Sequence, residues 1–242
     1  DAAIADCDIA IELAPKLAAA YANRGRAYAG KGDLDRAIAD WYRALELDPE
    51  NATVYNDRGR AYVGKGEFDK AIADWDKAIE LDPEYTTAYS NRGAAYAELD
   101  EFDKAIADCS KAIELTPEYA TAYHTRGYAY GGKGEFDKAI ADYDKVIEID
   151  PKLVLAYLYR GDAYAVKGEF DKAVADYDKA LELEPNLATA YTSRGAVYVE
   201  LEEFDKAIAD CSKAIELTPE YAVDFAVAYF VRGLANRGKG EL

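Results

Sequence analysis

Residues 21–49 read YANRGRAYAGKGDLDRAIADWYRALELDP, and the run returns with small changes every 34 residues. Its closing proline fixes the register: Pro15, Pro49, Pro83, Pro117, Pro151, Pro185 and Pro219 stand 34 apart without a slip. A fixed period of this size marks stacked units that bury one continuous core between neighbours, so independent domains are not expected. Counted from each proline, offset +6 is Tyr (Tyr21 to Tyr191), +10 is Gly (Gly25 to Gly195), +13 is Tyr (Tyr28 to Tyr198) and +22 is Ala (Ala37 to Ala207). At about 100° per residue, +6, +9, +10 and +13 share one side of a first helix. Offsets +19, +22, +23, +26, +29 and +30 likewise share one side of a second. K-G-[DE] separates the two in most units, with Gly32, Gly66, Gly134 and Gly168 suited to a left-handed helix end. Asp or Thr before the proline is expected to cap the first helix of the next unit, with Pro at its first position. Each unit is a helical hairpin and the chain is all-α.

The stretch YANRGRAY from Tyr21, followed by Ala37, Trp41, Ala44 and Pro49, resembles the tetratricopeptide repeat, whose 34-residue pattern runs aromatic, Gly, Tyr, Ala, aromatic, Ala, Pro. Six full repeats occupy 18–221, flanked by a lone second helix at 1–17 and a lone first helix at 222–242, so that 1–242 reads as a single array. The resemblance implies an α-solenoid, a right-handed superhelix of antiparallel helix pairs, with a concave groove lined by first helices. It also implies a non-catalytic scaffold that binds a protein or extended peptide, without saying which.

Composition agrees with a folded, non-catalytic chain. Half of the 242 residues are apolar, enough for a core, while 47 acids against 29 Lys and Arg give a net charge of −18. Nucleic-acid affinity comes largely from Lys and Arg displacing counterions, so a nucleic-acid partner is not expected. No run approaches 18 apolar residues and no basic, apolar leader opens the chain, which excludes a membrane span. From the absence of Met the chain is expected to be a piece of a longer protein. The single histidine, His124, has no Cys or second His at ligand spacing, and K-G-E-F-D-K lacks the G-x-x-x-x-G-K-[ST] of a phosphate loop. No catalytic residue, metal or cofactor is therefore assigned. Cys7, Cys109 and Cys211 share offset +26 three periods apart, too far for a disulfide across layers of roughly 8–10 Å, and read as buried thiols of a cytoplasmic protein. Residues 98–120 and 200–222 differ only at Asp100 and Glu202, the mark of a duplicated three-repeat block.

The side of the first helix opposite its packing stripe holds +4, +7, +8, +11, +14 and +15. Its residues are mostly short or polar, among them Asn23, Arg26, Asn56, Asp57, Arg60, Asn91, His124, Asp162 and Ser193. Asn23 and Asn91 offer amides to a peptide backbone, and Arg26 and Arg60 are placed either to meet an acidic group or to remain solvated. No Lys stands at +4, +7 or +11, so the pattern departs from the chaperone-tail carboxylate clamp known in the family. Tyr128, Leu155, Leu158 and Tyr159 make an apolar cluster on the same face. Two readings stand, a partner anchor or packing against neighbouring helices.

Offset +9 is Arg where an apolar residue is the family norm, and a buried guanidinium needs a partner. Offset +25 supplies one in every full unit, so ion pairs are expected between Arg24 and Asp40, Arg58 and Asp74, Arg92 and Asp108, Arg126 and Asp142, Arg160 and Asp176, and Arg194 and Asp210. The end KGEL and the beginning DAAIAD join into a near copy of residues 31–40, so weak head-to-tail self-association through the terminal helices is also expected. A binding scaffold is the leading reading; self-assembly, or the targeting region of a larger enzyme, are its rivals.

Overall fold

The computed structural model describes residues 2–217 and 223–240; the expected Pro219 turn lies outside them. Fourteen helices and no strand occur among the described residues. After α1 (Ala2–Leu13), first helices α2 (Ala18–Gly30), α4 (Ala52–Gly64), α6 (Thr86–Glu98), α8 (Ala120–Gly132), α10 (Val154–Val166) and α12 (Ala188–Glu200) alternate with second helices. The second helices are α3 (Leu34–Leu47), α5 (Phe68–Leu81), α7 (Phe102–Leu115), α9 (Phe136–Ile149), α11 (Phe170–Leu183) and α13 (Phe204–Leu217), and α14 (Val223–Lys239) closes the series. The chain divides into two compact units, 1–125 and 126–242. In the first, Trp41, Val54, Tyr62 and Trp75 anchor the core; in the second, Tyr157, Leu158, Tyr177, Leu181 and Val197 do so.

Between the helices of a hairpin the chain turns through a left-handed residue. Gly32 takes φ +80°, and Asp33 N–H donates back to the Tyr28 carbonyl at 3.0 Å. Asp100 and Glu202, where the other units have Gly, keep this turn at φ 57° and 58°, a backbone choice that costs a non-Gly residue about 1 kcal/mol. The expected capping of first helices by the residue before Pro is not what forms. Asp48, Asp82, Thr116 and Asp150 instead end the second helices in extended conformations, because the proline ring pushes the preceding residue out of the helical region. First helices start three residues after the proline, and of their characterised caps only Asn51 supplies a side-chain bond, accepting from Val54 N–H at 3.2 Å.

Each hairpin is held by a dipeptide on one helix facing a dipeptide sixteen residues later on the other. Arg24-Gly25 faces Asp40-Trp41, and the pattern recurs to Arg194-Gly195 facing Asp210-Cys211. The glycine lets the axes approach until the partner side chain touches backbone: a Cβ on Gly59 would lie 2.9 Å from the Trp75 ring, and one on Gly93 2.8 Å from Cys109 Sγ. Beside it the guanidinium straddles the carboxylate. Nε and Nη2 of Arg24 donate to Asp40 at 2.8 and 2.7 Å, those of Arg58 to Asp74 at 2.8 and 2.6 Å, and those of Arg92 to Asp108 at 2.7 and 2.7 Å. Arg126 meets Asp142, Arg160 meets Asp176 and Arg194 meets Asp210 in the same two-pronged way. The Asp40 bond, opposed by burial, holds the Arg24 guanidinium above its ordinary range.

In four hairpins the third guanidinium nitrogen reaches back to offset +27 of the preceding repeat. Arg24 meets Asp8 at 2.6 Å and Arg92 meets Asp76 at 2.5 Å, while Arg160 and Arg194 reach Asp144 and Asp178. For Arg58 that place is Tyr42, whose ring centroid lies 4.2 Å from the guanidinium carbon. Arg58 therefore depends on one carboxylate where Arg92 has two. Removing a buried ion's partner costs about 3–5 kcal/mol, so Asp74→Ala should lower the urea stability of the first unit by about that amount. Asp108→Ala, which leaves Arg92 its bond to Asp76, should lower it by clearly less; equal losses would refute the shared-ligand account.

Candidate functional site

The exposed face of the first helices is built from three positions per step: +11 of one repeat, +8 of the next, and the +26 side chain of the first repeat's second helix beneath them. Over three of the aromatic +26 rings, Trp41, Trp75 and Tyr177, clefts open. One of about 440 Å³ over Trp41 is lined by Arg26, Asp57 and Arg60, and one of about 430 Å³ over Trp75 by Arg60, Phe68, Asn91 and Glu98. In the second unit a cleft of about 560 Å³ over Tyr177 is lined by Asp162, Val166, Phe170, Ser193 and Glu200.

The steps differ in chemistry. Over Trp41, Arg26 Nε donates to Asp57 at 2.6 Å and Nη1 to Asn23 Oδ1 at 3.1 Å, so the charges cancel. Over Trp75, Arg60 is exposed and no carboxylate among the described residues bonds to it, while Asn91 uses its amide nitrogen on Asn56 Oδ1 at 3.0 Å. The step over Cys109 carries only Ala94 and a buried Thr125. Over Tyr143 the step is aromatic, with Tyr159 stacked on Tyr143 and edge-on to Tyr128, both with centroids 6.1 Å apart. Over Tyr177, Asp162 accepts from the Tyr177 hydroxyl at 2.8 Å. Burial raises the Asp162 carboxyl above its ordinary range, against the lowering effect of bonds from Tyr177 and Ser193.

Two of the residues expected on this face are not on it. Leu158 is 7% exposed and belongs to the core of the second unit, and Asn56 is 4% exposed. Both stand at +7, about 40° from the centre of the face, on the flank that the neighbouring first helix covers, as the Asn91–Asn56 bond shows. Ala22, Ser90 and Thr192, at the same offset, are buried as well. His124 at +7 is half-buried, and burial lowers its imidazole below the ordinary range. Leu155 and Tyr128 stay open at 42% and 40%, with Tyr159 half-buried between face and core. The apolar cluster therefore divides: Tyr128, Leu155 and Tyr159 remain on the face and Leu158 leaves it. The aromatic floors Trp41, Trp75 and Tyr177, and the carboxylates at +27, have roles that the helix-angle argument did not bring out. Their sixteen-residue spacing to the Gly and Arg positions was the available signal.

The family model described as "TPR repeat" matches residues 25–66, 59–100 and 161–202, and that described as "Tetratricopeptide repeat" matches 86–119, 120–153 and 188–221. A crystal structure of MamA is 38% identical, the match covering 66% of this chain and 94% of that one with a TM-score of 0.62. The chain belongs to the tetratricopeptide repeat family. YrrB, whose structure is described as that of a TPR protein with an unusual peptide-binding site, is 29% identical, with 76% and 95% of the two chains covered and a TM-score of 0.63. A tetratricopeptide repeat protein from Parabacteroides merdae, 23% identical with 96% and 90% covered and a TM-score of 0.71, shares the fold. Among curated proteins none matches. Family and fold make the chain a protein-interaction scaffold. Among the described residues no helix is long and apolar enough to cross a membrane, and no three His, Cys, Asp or Glu side chains are grouped to hold a metal.

The different placement of two neighbouring leucines on α10 is directly measurable. Leu158→Asp puts an unpaired carboxylate into the core and should cost at least about 3 kcal/mol in urea unfolding. Leu155→Asp should change stability by no more than about 0.5 kcal/mol. Similar losses for both would mean that Leu155 is also core.

Proposed function

We propose that this tetratricopeptide chain recognises an extended peptide segment of a partner protein along the exposed face of its first helices and performs no chemistry of its own. The carrying observation is a division of labour among polar groups. The buried carboxylates of the second helices each bond to an arginine inside the fold, whereas the +8 and +11 side chains change from step to step over open clefts. Side chains freed from folding and arranged over apolar floors are what a peptide-reading surface requires. The peptide-binding site in the YrrB description supports the same use here. Pools of capped heptapeptides with a fixed central residue and six randomised positions test this. Pools fixed as Phe, Tyr, Trp or Leu should bind, and Tyr128→Ala should weaken them by about tenfold with helicity unchanged. Undiminished binding to that variant would remove the Tyr128–Tyr159 step from the site.

A second reading, self-association, rests on a different observation. Arg232-Gly233 on α14 repeats the first half of the hairpin clasp, yet among the described residues Arg232 donates to Ser212 at 3.1 Å and to no carboxylate, and a Cβ on Gly233 would meet nothing within 4 Å. On α1, Asp6-Cys7 repeats the other half, and Ile9 and Leu13 are 55% and 82% exposed. A second copy brings these halves together as a Gly–Cys clasp of the kind seen at Gly93 and Gly195. Sedimentation of this chain should show mass rising with concentration, and Gly233→Phe should abolish the rise; a constant mass at millimolar concentration would exclude the contact.

A further inference from the structure

The clefts over Trp75 and Tyr177 are one cleft repeated three periods apart. Phe68 corresponds to Phe170, Glu98 to Glu200, and Arg60 to Asp162. Walls and rim are therefore retained while the +11 charge is reversed. The cleft over Trp41 shows what a +11 charge does when its opposite is within reach: Arg26 and Asp57, at +11 and the next +8, close to 2.6 Å. At the Tyr177 step the next +8 residue is Ser193, which brings no charge. Asp162 thus sits half-buried in a cleft with no cation bonded to it among the described residues, unlike the carboxylates of the clasps. Tyr177, 1% exposed, fixes the carboxylate by its hydroxyl, and it cannot supply a positive charge. Val166 and Phe170 give apolar wall for an aliphatic stem, and Glu200 adds a second negative charge at the rim.

We propose that this cleft takes the basic side chain of the partner peptide, a lysine or arginine whose head group meets Asp162 and whose stem lies along Val166 and Phe170. The proposal deepens the peptide-groove reading and rests on it. A long cationic side chain fits better than a small ammonium ion because the cleft is apolar around a single fixed carboxylate, so stem and head both find partners. Specificity comes from the same place, since a neutral or acidic side chain would leave Asp162 desolvated and unpaired.

The test uses the heptapeptide pools with Lys, Arg, norleucine or Glu fixed at the centre, titrated against the whole chain and three variants. Lys and Arg pools should bind the unaltered chain about tenfold more tightly than the norleucine pool. Asp162→Asn should erase that preference while leaving binding of the aromatic pools in place, and Asp162→Arg should transfer it to the Glu pool. Glu118→Gln, an exposed change outside the cleft, should leave every preference unaltered; an equal loss there would show only diffuse attraction to a chain of net charge −18 and overturn the proposal. A Lys and Arg preference that survives Asp162→Asn would overturn it as well, with the groove reading intact. Failure of every pool to bind the unaltered chain would bring down the groove reading and this proposal together.

Discussion

A glycine pressed against the side chain sixteen residues further on sets the geometry of every complete hairpin. With no Cβ on the first helix, the second can bring Trp, Tyr or Cys onto backbone, and its +22 alanines are wholly buried at the crossing. That close approach aligns the neighbouring Arg and Asp for a two-pronged bond. Burial of the pair is tolerable only because the bond satisfies both charges. In four hairpins the arginine's remaining donor then reaches the preceding repeat, so one residue joins two repeats. Nearest-neighbour coupling of this kind is how linear arrays gain stability.

This arrangement leaves the opposite face unburdened. Positions +8 and +11 make few bonds that folding requires, and they carry the chain's variation: an ion pair, a free guanidinium, small residues, stacked tyrosines and a carboxylate. Asp162 is the place on this face where burial acts against a charged group. Its carboxyl is raised by burial, so the native state holds the proton more tightly than the unfolded chain does. The resulting stability is present below the ordinary carboxylate range and is lost as pH rises through the raised value. Burial thus makes Asp162 a group that the fold holds more easily protonated than ionised.

Much of this was legible from residue spacing. Seven prolines in register gave the hairpins, and Arg at +9 with Asp at +25 pointed to pairs that lie on one hairpin because both stripes follow from a helix's own period. What spacing missed involves neighbours. A helical wheel places +7 near the groove but contains no adjacent helix to cover it, so Leu158 and Asn56 looked open. It also gives no reason to look back one repeat, where Asp8, Asp76 and Asp144 complete the arginine shells. The role of Asp48 and its equivalents was misjudged for a local reason: proline's restriction on the residue before it outweighs that residue's talent for capping.

Because each clasp lies within one hairpin while each cleft straddles two, the array can be recombined without being rebuilt. Excising residues 61–94, one full period, would join Arg60 to Ala95. Arg58 would find Asp108 at the sixteen-residue spacing it now has to Asp74, and would still have Tyr42 behind it. The guanidinium of Arg60, however, would now stand over Cys109 and beside Thr125, a combination found nowhere in the present chain. Unequal crossing-over between such repeats changes the side chains over the cleft at the splice and leaves the hairpin clasps unchanged, so a single genetic event alters the exposed face without rebuilding the scaffold.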